Sequence, residues 1–203
     1  MAGIRKHKRL AFGLVAGCLA IALSGCIGGG SSAPKAIFDL SAPVNPDIRH
    51  RSNAQILIPK PRAIQALNTS NIAVVSDGNE ISYFPKVVWS DELPNLVQAN
   101  LVETFENSGR VKAVGLPGEG LLINYQISTE IRAFQLDVNG GRRAIVSIAA
   151  KIINDRNGRA VATETFRAEV AVPTDQPAAA VIGMNSAANQ VFTDLVAWVL
   201  RRT

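Results

Sequence analysis

The sequence predicts an α+β fold: a single domain over residues 36–203, with an antiparallel sheet and two main helices packed on one face. Three observations lead there. Strand-like segments come in runs followed by single helices, where a doubly wound fold would alternate them. Two segments, 91–107 and the stretch from about Pro177 to Leu200, repeat apolar residues at three- and four-residue steps. Between them, Asn139-Gly140-Gly141 and the turn from Asn154 to Gly158 divide a long apolar region into three strands, as an antiparallel meander requires. No repeat of fixed period and no heptad run is present in the sequence.

Residues 1–25 read as a secretory signal. Arg5, Lys6, Lys8 and Arg9 precede an uncharged apolar run from Leu10 to Leu23, which ends at Ser24, Gly25 and Cys26. At 14 residues this run is short of the roughly 18 needed to span a bilayer as a helix, so a permanent transmembrane anchor is the weaker reading. Leu23-Ser24-Gly25-Cys26 resembles the lipobox of bacterial lipoproteins. There a small residue before the cysteine lets the peptidase close on the backbone, and the sulfur carries diacylglycerol. Cys26 is thus the expected lipidation site and mature N-terminus. A second match, Val15-Ala16-Gly17-Cys18, would leave an apolar core of only about seven residues.

Residues 26–35 form the expected tether. Gly28, Gly29, Gly30, Ser31 and Ser32 offer no apolar surface to bury, and about nine such residues reach roughly 15 to 18 Å on average. Acyl chains contribute about 0.8 kcal/mol per buried methylene, so two or more hold a domain at a membrane without inserting protein.

The domain elements follow in order. Ile37 to Leu40 reads as a short strand, Ser41 to Asn53 as an exposed connection, and Gln55 to Pro59 as a second strand. Ile72 to Val75 and Ile81 to Phe84 flank Asp77-Gly78, a dipeptide suited to a tight hairpin. Along 91–107, Leu93, Leu96, Val97, Leu101 and Phe105 mark one buried helical face, with Ser90 or Asp91 as cap, Pro94 in the first turn and Gly109 as the left-handed stop. Ile123, Tyr125, Ile127, Thr129 and Ile131 alternate with polar residues, after which the apolar parity switches to Phe134 and Leu136. A bulge near Ala133 accounts for the switch. Arg143 to Ile153 and Val161 to Val172 complete the meander. The final helix places Val181, Met184, Ala188, Val191, Leu195 and Val199 on one face.

Composition narrows function. The chain carries formal charge +5, but four of its 21 basic residues lie in the signal, leaving 17 against 16 acids and a mature charge of about +1. No basic stripe replaces them in the sequence, and nucleic acid is not an expected partner. Beyond Cys26 the mature chain has no cysteine, so neither a disulfide nor a cysteine-type zinc site can be built.

Chemistry is sparse. His7 leaves with the signal, and His50 sits in an exposed connection unsuited to a catalytic triad. Gly115, Gly118 and Gly120 have the wrong spacing for a phosphate loop and precede a strand, so they read as turn glycines. Adjacent Asp91 and Glu92 point about 100° apart on a helix and suit its dipole better than a shared substrate. Asp77, Asn79 and Glu80 lack the calcium-loop pattern. No catalytic, metal or cofactor-binding residues are assigned, and carboxylate-only catalysis stays open. Tyr83, Phe84 and Trp89 could form a partner contact, although buried aromatic core is the plainer reading, and Trp198 is read the same way.

Several segments together resemble the auxiliary lipoproteins of ABC-type transport systems, the PqiC-like proteins that accompany MCE-type lipid transporters. They are the lipobox, Phe38-Asp39-Leu40-Ser41-Ala42-Pro43, the stretch from Ile81 to Pro94, Glu106-Asn107-Ser108-Gly109-Arg110, and Ile131-Arg132-Ala133-Phe134. Phe38 departs from the family's usual tyrosine, and the family offers no catalytic signature. The resemblance implies a non-enzymatic, periplasm-facing component working with a permease, an ATPase and an MCE substrate-binding subunit on phospholipid or another hydrophobic cargo. It implies no cofactor beyond the covalent lipid on Cys26. Ile27, where an aspartate would favour inner-membrane retention in well-studied sorting, leans toward the outer membrane. The alternatives are an envelope-structural lipoprotein without a transport partner and a lipid carrier with its own groove.

Overall fold

The structure is a computed structural model that describes residues 36–203 apart from Asn79. Its strands are β1 (Ala36–Phe38), β2 (Ser52–Leu57), β3 (Arg62–Ala63), β4 (Asn71–Ser76), β5 (Glu80–Trp89), β6 (Val111–Gly115), β7 (Tyr125–Asp137), β8 (Arg143–Asn154) and β9 (Ala160–Ala171). Helix α1 (Leu93–Ser108) lies between β5 and β6, and α2 (Pro177–Leu200) follows β9. The α+β class holds. The sheet, however, is mixed and not antiparallel as expected.

The reason lies along β7. Its full length pairs antiparallel with β8, and β8 with β9, giving the expected meander. Its other edge is taken in succession by β2, β3 and β4, all parallel to it. Outside β2 lies β6, again parallel, while β4 carries β5 antiparallel and β5 carries β1 parallel. Antiparallel neighbours announce themselves through tight turns, whereas parallel neighbours are joined through long crossovers and leave no local mark.

The β7 bulge is where the side-chain pattern requires it. Ile131 pairs with Ile148 and Ala133 with Ser147, so Arg132 is the extra residue. It turns the buried set Ile127, Thr129 and Ile131 into Phe134 and Leu136 without losing the core face. The Asp77-Gly78 hairpin also forms, with Ser76 paired to Glu80 and φ of 31° and 73° at the two turn residues.

All five residues expected on the inner face of α1 are buried. Pro94 falls in the first turn, and Gly109 closes the helix in the left-handed conformation at φ 57°. The cap differs from expectation, since Glu92 occupies that position and no side chain caps it. Asp91 Oδ1 instead accepts from the Glu92 amide at 2.6 Å and the Asn95 side-chain amide at 3.0 Å. These bonds, the Asn95 one foremost, hold the Asp91 carboxyl below its ordinary pKa.

Helix α2 packs on β8 and β9 through small residues, among them the buried Ala180, Gly183, Ala187 and Ala188. Both helices contribute to one core, filled by Trp89, Phe105, Phe134 and Phe192 among aliphatic residues of β2, β4, β7 and β8. Burying each side chain of this size contributes about 1.5 to 3 kcal/mol. On the sheet's other face Ile145 and Ser147 of β8 are buried too, flanked by their β9 partners Glu169 and Arg167. Glu169 pairs with both Arg143 and Arg167 there, at 3.2 and 2.8 Å.

Candidate functional site

Cys26 lies outside the described residues. The three aromatic residues read as a candidate contact do not share a surface. Trp89 is 2% exposed and meets Phe134 edge-on. Phe84 is half-buried against the core, and Tyr83 is 39% exposed with its hydroxyl donating to the Ala66 carbonyl at 3.1 Å. The cause is a break in β5. Asn71 and Ala73 of β4, two residues apart, face Val88 and Tyr83, five apart. The additional residues include Pro85, which has no amide to donate, and Lys86, at φ 61°. Trp198 is also core, at 2% exposure.

His50 is exposed on the connection before β2. Gly118 and Gly120 adopt positive φ, as turn glycines do. Among the described residues no group of three or more His, Cys, Asp or Glu is placed to hold a metal ion. Among them, too, no helix is long and apolar enough to cross a membrane.

A different feature emerges at the end of the domain where β2, β6 and β7 begin and β8 and α2 finish. These five elements are tied together there by hydrogen bonds. The Ser52 amide donates to the Arg110 carbonyl at 2.8 Å, and Thr203 Oγ1 lies 3.1 Å from Ser52 Oγ. The Gln55 amide donates to Asn124 Oδ1 at 2.8 Å, and the Asp155 amide to the Asn124 carbonyl at 3.0 Å. These contacts frame an open depression of about 570 Å³ whose lining includes Asn53, Asn124, Asn154, Asp155, Arg156 and Thr203.

The chain positions of Arg51, Arg110, Arg159, Arg201 and Arg202 bring them to this end beside Arg156. None of these six takes part in the ion pairs among the described residues, which use Lys60, Arg62, Arg143 and Arg167. The Arg202 guanidinium instead lies 5.1 Å from the Trp198 ring centroid, and Phe166 meets the same indole edge-on. Leu122, whose carbonyl accepts from Gln55 Nε2 at 2.7 Å, projects from the same end and is 85% exposed. No run or stripe of basic residues in the sequence announces this grouping. The arginines are scattered in sequence and gathered by the fold, so no run or period could have revealed them.

Two further open depressions lie on the helices, one along the outer face of α2 beside Pro43 and one along α1 beside Leu116. The first is lined by Ile182, Asn185, Ser186, Asn189, Gln190 and Asp194 among others, a polar face with one acid and one exposed isoleucine.

Comparison with known proteins places the chain in a family. The chain is 29% identical over 199 residues to an uncharacterized protein of Bradyrhizobium diazoefficiens, covering 98% of this chain and 52% of that relative. The chain thus spans about half the length of the curated relative it matches. A crystal structure from Xanthomonas campestris, of the DUF330 family, superposes with a TM-score of 0.75 at 25% identity, covering 82% of this chain and 95% of that one. A hypothetical protein of Chlamydia trachomatis shares the fold at a TM-score of 0.53 and 8% identity, over 74% of this chain and 98% of that one. The model of the ABC-type transport auxiliary lipoprotein component family matches residues 38–196, and the chain belongs to that family.

Proposed function

We propose that the mature chain begins at Cys26, is held at a membrane by lipid on that cysteine, and serves an MCE-class ABC transport system as a docking component. Family membership over residues 38–196 is the observation that carries this reading. The Ser24-Gly25-Cys26 ending and the Gly- and Ser-rich stretch after it support the anchor. The domain performs no covalent chemistry in this role. Its partners are the permease, the ATPase and the MCE substrate-binding subunit, and the cargo is phospholipid or another hydrophobic molecule. Ile27 favours the outer membrane as the site of attachment.

Anchoring suits a docking role energetically. A tether of about nine residues makes the encounter with a membrane partner effectively intramolecular, so a modest interface stays occupied. The side chains of Trp89, Phe105, Phe134 and Phe192 fill the space between helices and sheet, which favours docking over carriage of lipid in an internal groove. Affinity capture of the anchored chain from solubilised membranes tests the proposal. Copurification of a permease, ATPase or MCE subunit is expected, and repeated recovery of the chain without any of them would assign it to envelope structure.

A further inference from the structure

We propose that the arginine-rich end of the domain is a docking surface for an anionic bilayer. The inference deepens the proposed function and rests on the Cys26 anchor to keep the domain beside a membrane. Six exposed or half-exposed arginines share this end, in a mature chain whose excess is about one positive charge. The charge is therefore segregated rather than plentiful. Asp155 is the only acid among the residues lining the depression at its centre.

Single exposed leucines are ordinary, but Leu122, held to β2 through Gln55, is at this same end and 85% exposed. An apolar tip at the same end as a group of basic side chains suits a bilayer interface, with the leucine reaching acyl chains and the guanidinium groups meeting lipid phosphates. Nucleic acid fits less well. Base stacking needs an exposed aromatic platform, whereas at this end Trp198 is buried beneath Arg202 and Tyr125, in the lining of the depression, is half-buried against the core. Each arginine near an anionic surface strengthens binding by about fivefold, an effect that salt screens over roughly 10 Å.

The test uses Ile27 to Thr203 without the acyl chain, since the described core runs from Leu40 to Leu200 and is retained whole. Sedimentation with vesicles containing phosphatidylglycerol is compared with vesicles of phosphatidylcholine alone. Binding is expected only to the anionic vesicles, weakening as salt is raised. Arg156→Gln combined with Arg201→Gln is expected to weaken it about 25-fold, and Leu122→Ser about tenfold. Arg143→Gln, on the sheet face, serves as the control and leaves binding unchanged. Thermal unfolding of each variant separates lost binding from lost fold.

Absence of anionic-vesicle binding, equal binding to both vesicle types, or indifference to the double arginine substitution would overturn the proposal. So would tighter binding of a single-stranded oligonucleotide than of anionic vesicles, or full displacement by inorganic phosphate, which would mark a discrete phosphate site. Acyl labelling of the full chain at Cys26 reports on the anchor separately, so failure of the anchor and failure of the surface are distinguishable.

Discussion

The indole of Trp89 meets the ring of Phe134 edge-on, with centroids 5.8 Å apart and planes at 85°. The contact joins the bent strand β5 to the portion of β7 beyond its bulge, and both residues belong to the core. Trp89→Ala should therefore destabilise the protein by about 3 to 5 kcal/mol. Tyr83→Ala, at the exposed end of the same strand, should cost less than about 1.5 kcal/mol, chiefly the bond to Ala66. Denaturant unfolding of both variants checks the contrast, and equal losses would contradict it.

The bulge at Arg132 gives an unusual prediction for deletions. Removing Arg132 leaves Ile131, Ala133 and Phe134 alternating regularly against Ile148, Ser147 and Val146, so the inward set is preserved. Removing Gln135 forces either Phe134 or Leu136 outward, at about 2 to 5 kcal/mol for one lost large core side chain. Melting temperatures should rank the Arg132 deletion well above the Gln135 deletion.

Gly183 holds α2 close to the sheet. A Cβ there would lie 2.7 Å from Val172 Cγ2 and 3.0 Å from Ala144 Cβ. Gly183→Ala should destabilise by about 1 to 3 kcal/mol through overpacking, offset in part by the roughly 1 kcal/mol better helix propensity of alanine. Val172→Ala removes the nearer clash, so the double variant should be more stable than the sum of the single effects implies. Additive losses in a double-mutant cycle would refute the close-packing explanation.

Asp91 should titrate below the ordinary aspartate range because the Asn95 amide, the Glu92 amide and the charge of Lys60 all favour its ionised form. A folded-state pKa lowered in this way contributes stability above the unfolded value and loses it as pH falls through the folded one. The loss is confined to acid conditions. Carboxyl NMR titration should show the depressed value in the wild type and a rise toward the ordinary one in Asn95→Ala.

Local signals made much of the fold legible. Alternation in β7, its parity switch, the Asn- and Gly-rich turns around β8 and the apolar stripes of both helices each involve residues close in sequence. The parallel partners of β7 were not legible, because β2, β3 and β4 are short and reach it through distant crossovers. Strand β6 also went unseen, since Val111 to Gly115 has no strong alternation and finds its partner in β2. Tyr83 and Trp89 differ in exposure across the break in β5 at Pro85 and Lys86, and Trp89 takes the buried-core place that is the plainer reading of the sequence. The basic end was hidden for a third reason: Arg51, Arg110, Arg156 and Arg201 are united only by the tertiary fold.

Crosslinking in cells tests the central claim most directly, using a photoreactive residue at an exposed position such as Ile182 and comparing the native chain with Cys26→Ala. An adduct with an MCE or permease subunit is expected in the native chain, with its loss or strong reduction in Cys26→Ala at equal protein level. Repeated absence of any transporter adduct, with probes at several exposed positions and good peptide coverage, would contradict it and leave a lipoprotein of envelope structure.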